Sequence, residues 1–292
     1  MIGHQIELRD GRRLGYAEFG APDGKPVFFF HGLPGSRLFR HPDDSIAASL
    51  GVRLITVDRP GLGLSDFKKG RRLLDWPDDV VDLAATLQLE RFAVAGVSAG
   101  GPYAMACAFK IPQRLNAVAL ISSAAPTRVP GVTEGMTRRT RFSFRVAGCG
   151  CLPWWFMLPA MALVARTGRR QPEKLYQRAV ALAHPSDLEL ITQPNVRRVF
   201  LESFPETYRQ GPRGHIADSL LIARDWGYHV KDITPAVHLW HGTDDVHAPV
   251  AMGHYLAKTI PNCEATFLPG EGHLLMFRPS YWRDILTALV SS

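Results

Sequence analysis

Ser98 is the one polar residue in the run Ala93-Val94-Ala95-Gly96-Val97-Ser98-Ala99-Gly100-Gly101. Small residues two before and two after it permit a sharp strand-to-helix turn, which pushes the serine hydroxyl into the open beside the first free N–H groups of a helix. A serine hydroxyl is a weak nucleophile near neutral pH. It needs a base to take its proton and a third group to orient and charge-stabilise that base. Two later apolar runs end in candidates for those roles. Ala236–Trp240 leads into His241-Gly242-Thr243-Asp244-Asp245, and Glu264–Leu268 leads into Pro269-Gly270-Glu271-Gly272-His273. The order is serine, then an acid at 244 or 245, then His273. That order is the one a sheet with a serine elbow imposes.

The elements that must position these groups can be read from periodicity. His4–Leu8 and Arg13–Phe19 alternate around Asp10-Gly11, a hairpin signal. Val27-Phe28-Phe29-Phe30 is a continuous apolar run of the kind covered on both faces, and it ends in His31-Gly32-Leu33-Pro34-Gly35-Ser36. A helix is expected over residues 42–50, a strand over 53–57, a helix over 75–87 and a strand over 117–121. Helices over 250–259 and 279–290 flank the strand at 264–268. Strands alternating with helices give an α/β fold with a mostly parallel sheet, whose chemistry belongs beyond the carboxyl ends of the strands.

With the four motifs in hand, the chain resembles the α/β-hydrolase fold superfamily in its capped, single-domain form. The motifs are His31-Gly32 with its loop, Asp58-Arg59-Pro60-Gly61-Leu62-Gly63-Leu64-Ser65, the Ser98 elbow, and the Asp and His loops. The resemblance implies a sheet of about eight strands wrapped by helices, with a mainly helical cap inserted after the sixth strand. It divides the chain into a core of residues 1–125 and 233–292 and a cap of residues 126–232. It selects Asp245 over Asp244 as the acid, because the family's acid stands three residues after the glycine of His-Gly-x-x-Asp. It also implies an oxyanion hole formed by the backbone N–H groups of Leu33 and Ala99. The expected activity is hydrolysis of a carboxylic ester with a small to medium apolar substrate. Carbon–carbon bond, lactone or amide hydrolysis by the same triad is the alternative, as is a hydrolase-like binding protein with little turnover. His31, Asp58 and Arg59 are read as braces of their own loops, Ser65 as a loop residue, and His241, His247 and His254 as incidental.

The formal charge of +7 lies entirely in residues 126–232, which hold 16 Lys plus Arg against 9 Asp plus Glu. No recognition motif accompanies that excess, so nucleic acid is not an expected partner. Four cysteines, at 107, 149, 151 and 263, lack disulfide or zinc spacing, and a cytoplasmic setting is expected. No motif implies a metal or organic cofactor. Residues 1–10 lack an apolar core of signal-peptide length. The uncharged run Val146–Ala165 has the length of a membrane span, but Pro153 and Pro159 interrupt it. It is read as apolar cap lining a substrate pocket. Weak interfacial contact through Trp154, Trp155 and Phe156, among flanking arginines, is the competing reading. Nothing in the sequence sets the oligomeric state.

Overall fold

The computed structural model describes residues 3–149 and 154–291. Strands β1 (His4–Glu7) and β2 (Arg13–Gly20) form the antiparallel hairpin, with Gly11 at φ +80° in its turn. Then follow β3 (Lys25–Phe30), α1 (Asp44–Ser49), β4 (Val52–Val57), α2 (Trp76–Thr86), β5 (Phe92–Val97), α3 (Gly101–Lys110) and β6 (Leu115–Ile121). Among the described residues six helices come next: α4 (Arg138–Cys149), α5 (Leu158–Arg170), α6 (Pro172–Ala181), α7 (Pro185–Ile191), α8 (Pro194–Thr207) and α9 (Arg213–Ala223). The chain closes with β7 (Val237–Gly242), α10 (Val250–Thr259), β8 (Cys263–Leu268) and α11 (Pro279–Val290).

One eight-stranded sheet runs β1-β2-β4-β3-β5-β6-β7-β8, parallel from β4 onward. The chain leaves β3 for β4 on one side and returns to β5 on the other. That reversal opens a crevice at the carboxyl ends of β3 and β5, the place where open α/β sheets bind ligands. The apolar run of β3 is buried on both faces, as expected. Phe28 and Phe30 belong to one core cluster and Phe29 to the other. Phe30 meets Trp76 of α2 edge-on at 5.2 Å, and Phe29 meets Trp282 of α11 at 5.6 Å. Truncating such a ring to alanine costs about 3–5 kcal/mol. α11 buries Trp282, Ile285, Leu286 and Leu289, the i, i+3, i+4, i+7 stripe that a sheet-covering helix needs.

Two local readings change. β7 continues through His241 and Gly242, because both pair with Phe267 and Leu268 of β8. Pro159 does not break a helix; it stands in the first turn of α5, where its missing N–H has no helical partner to lose. Pro153, Cys151 and the rest of residues 150–153 lie outside the described residues. Of the described part of Val146–Ala165, only Ala147 and Met157 line the main cavity, while Trp155 and Phe156 stack at 4.1 Å and stand exposed. No helix among the described residues is long and apolar enough to cross a membrane.

Candidate active site

β5 delivers Ser98 at φ +54°, a left-handed conformation that costs a non-glycine residue about 1–3 kcal/mol and persists only where its surroundings enforce it. Three glycines make the turn possible. A Cβ on Gly96 would overlap the Gly100 carbonyl, one on Gly100 would overlap the Phe30 carbonyl, and one on Gly101 would overlap the Ser123 hydroxyl. A single 3₁₀ turn, Ser98–Gly100, then runs directly into α3.

Asp245 and His273 meet across the loops after β7 and β8. Asp245 Oδ2 lies 2.7 Å from His273 Nδ1, while Oδ1 accepts the N–H groups of His247 (2.8 Å) and Ala248 (2.9 Å). Those bonds fix the carboxylate, so Nδ1 of the imidazole carries the proton it donates and Nε2 presents a lone pair. Burial alone would lower the His273 imidazolium. The Asp245 carboxylate, with help from Asp187, instead raises it above the ordinary histidine value. Burial would likewise raise the Asp245 carboxyl, but the His273 charge and hydrogen bond hold it below the usual aspartate value. Asp244 is exposed and accepts from Thr243 Oγ1, and it makes no contact with the imidazole among the described residues.

Ser98, Ala99, Gly32, Leu33 and His273 line one cavity of about 470 Å³. Ser98 Oγ makes no hydrogen bond to His273 among the described residues. Such bonds are often long in ligand-free sites and tighten when substrate arrives. A Cβ built on Gly32 would stand 3.4 Å from Ser98 Cβ, so the loop after β3 passes directly over the elbow. His31 Nδ1 lies 2.7 Å from the Gly32 carbonyl, the loop-bracing contact expected of it. Burial, then the Arg59 charge, push the His31 ring well below the ordinary histidine value, so it is neutral and donates from Nδ1.

Arg59 does more than brace its own turn. Its guanidinium donates to the carbonyls of His31 and, at 3.1 Å, Gly32, and pairs at 2.7 Å with Asp218 of α9. Anchoring the Gly32 carbonyl fixes the other end of that trans peptide, so the Leu33 N–H points away from Arg59. Asp218 also accepts from Arg71 and, at 2.7 Å, from the Tyr103 hydroxyl, and the whole cluster is buried. Burial would raise the Asp218 carboxyl, but Arg59 and Arg71 hold it well below the ordinary carboxylate range. Close by, Gly214 of α9 packs backbone to backbone on Gly61. A Cβ on Gly214 would overlap the Gly61 carbonyl.

Sequence reasoning misses a second carboxylate at the histidine loop. Asp187 of α7, itself buried, accepts the backbone N–H of His273 at 3.1 Å and of Leu274 at 2.7 Å. A Cβ on Gly272 would overlap Asp187 Oδ1, so the glycine is what lets this carboxylate in. His247 is not incidental either: it lines the cavity with its ring 5.2 Å from that of His273. Among the described residues no three His, Cys, Asp or Glu side chains gather as a metal site.

Residues 27–284 match the family described as the alpha/beta hydrolase family. The AB hydrolase superfamily protein YisY of Bacillus subtilis is 33% identical over 143 residues, 47% of this chain and 52% of its own, so the chain spans about half the length of that relative. Among solved structures, the enol-lactonase from Burkholderia xenovorans LB400 superposes with a TM-score of 0.72 at 20% identity, covering 99% of this chain and 100% of its own. The esterase RhEst1 from Rhodococcus sp. ECU1013 gives 0.70 at 19%, covering 100% and 99%. At those identities the likeness is one of fold.

Proposed function

The chain belongs to the alpha/beta hydrolase family, and from that premise we propose that it is a serine hydrolase cleaving carboxylic esters of small to medium apolar substrates through an acyl-enzyme. The observation that carries this reading is the convergence on one apolar cavity of a strained elbow serine and a histidine whose ring is held by a buried carboxylate. Ser98 Oγ attacks the ester carbonyl while His273 Nε2 takes its proton. Asp245 holds the imidazole in the required tautomer and stabilises the imidazolium. The oxyanion of the tetrahedral intermediate receives the N–H groups of Leu33 and Ala99, each worth roughly 3 kcal/mol of barrier when aligned. Collapse expels the alcohol with the proton from His273. Water, deprotonated by the same nitrogen, then releases the acid and restores Ser98.

The helical region, residues 126–232, acts in this reading as a cap over the core of residues 1–125 and 233–292. It supplies Phe200, Phe204, Ile191 and Leu182 to the cavity, whose wall is largely apolar. The fold neighbours include an esterase and an enol-lactonase, names that accord with this reading. The test is turnover of p-nitrophenyl esters by the wild type and Ser98→Ala, with fluorophosphonate labelling alongside. Loss of turnover and of labelling in the variant is expected. Unchanged turnover would remove Ser98 as the nucleophile, and a wild type that neither turns over nor labels would replace this reading with that of a binding protein.

A further inference from the structure

α9 turns a second polar pair into the cavity. His215, Ser219 and Ile222 stand at i, i+4 and i+7 on one helix face, and all three line it. His215 Nδ1 lies 3.0 Å from the hydroxyl of Tyr208, a fully buried residue whose hydroxyl makes no other hydrogen bond among the described residues. If Nδ1 carried the proton, the phenolic O–H would be buried with no acceptor, the costlier arrangement. Tyr208 therefore donates to Nδ1, and the ring proton resides on Nε2. Among the described residues that nitrogen makes no hydrogen bond, on a ring that lines the cavity, so its N–H is available to whatever enters. Burial pushes the His215 imidazolium down to about 4, against the opposing charge of Asp218, so the ring is neutral at ordinary pH. Ser219 Oγ donates to the His215 carbonyl at 3.0 Å, which leaves its lone pairs free to accept.

We infer that His215 forms a subsite for a neutral oxygen of the substrate, with Ser219 accepting in addition where that oxygen is a hydroxyl, so that the protein prefers esters bearing an ether, carbonyl or hydroxyl oxygen in the acyl or alkoxy portion over all-hydrocarbon esters. This rests on the ester-cleaving reading above. The physical reason is asymmetric. A hydrocarbon chain filling the cavity strips water from the Nε2–H and leaves it unpaired, whereas an oxygen at that position replaces the water. Sites built around a hydrogen bond discriminate more sharply than sites built on packing alone.

The test measures binding, so it does not depend on turnover. Ser98→Ala is titrated calorimetrically with hexyl hexanoate and with its monoethers, in which one oxygen replaces a methylene at successive positions of either chain. The Kd ratio of hydrocarbon to ether is compared with that in Ser98→Ala/His215→Leu. At least one ether is expected to show a ratio about tenfold higher with His215 present than without it. Should His215→Leu fold poorly, Ser98→Ala/His215→Leu/Tyr208→Phe removes both ends of the internal hydrogen bond and carries the same comparison. Ratios that are equal with and without His215 at every oxygen position overturn the subsite. Hydrolysis of hexyl hexanoate by the wild type, measured separately, reports on the ester-cleaving reading alone.

Discussion

The strand-end loops and the helical region between β6 and β7 both bring buried carboxylates to the site, but they use them differently. Asp245, just after β7, addresses the ring of His273 itself, the proposed base. Asp187 and Asp218, from α7 and α9, touch no reactive atom. One grips two backbone N–H groups of the histidine loop, and the other pairs with Arg59, which grips the carbonyls of the loop beside Ser98. Under the proposed function, the strand-end loops provide the reacting groups, and the helical region holds the loops that carry two of them.

That contrast gives an ordered set of expectations. Asp245→Asn should lower kcat/KM by about 10⁴ through the wrong imidazole tautomer while leaving the unfolding midpoint in urea nearly unchanged. A variant that mainly unfolds would erase the distinction between the two kinds of carboxylate. Asp218→Asn should do the reverse first: Arg59 and Arg71 lose their buried counter-charge, and stability measured by urea unfolding should fall by about 3–5 kcal/mol. Asp187→Ala should lower kcat by roughly ten- to a hundredfold with KM little changed, on the scale expected when a supporting contact is lost. Because the Asp187 charge helps His273 keep its proton, the acid limb of the rate profile should also move to lower pH. A defect in kcat with an unshifted profile would mean that Asp187 acts on the fold alone. The smallest effect is that of pH on the wild type. His273 must be neutral to act as base and its imidazolium is raised, so kcat/KM should fall on acidification with an inflection above the ordinary histidine value of about 6.5. An inflection below that value would mean that burial of the ring outweighs the Asp245 charge.

The same division explains what could be read from sequence. The Ser98 elbow, the loop after β3, His273 and an acid at 244 or 245 follow from local rules: glycines where backbone crowds backbone, apolar runs for buried strands, and polar residues at strand ends; the choice of Asp245 rests on the family resemblance. The sheet and its flanking helices were legible for the same reason. Asp187 is 86 residues from His273, and Asp218 is 159 from Arg59. Neither carries a local pattern that sets it apart from a solvated helix carboxylate, so Arg59 read as a brace for its own turn. His215 and Tyr208 are seven residues apart, but their shared hydrogen bond has meaning only once the cavity wall exists. In the uncharged stretch, hydropathy marked an apolar segment without distinguishing a wall of the cavity from the exposed Trp155 and Phe156.

The backbone contact between Gly61 and Gly214 bears on how such proteins can be recombined. The two backbones touch there directly, flanked by the side chains of Leu62 and Phe67 and next to the Arg59–Asp218 pair, so the two halves meet at a separation that only glycine allows. A helical segment grafted from another member of the family would seat on this core only if it brought glycine at 214 and a carboxylate one turn later. Chimeras that retain residues 213–218 while exchanging the remainder of 126–232 are therefore the ones expected to assemble with an ordered loop beside Ser98. The short stretch at the start of α9 would serve as the adaptor through which new substrate-facing helices are attached to an old reaction centre.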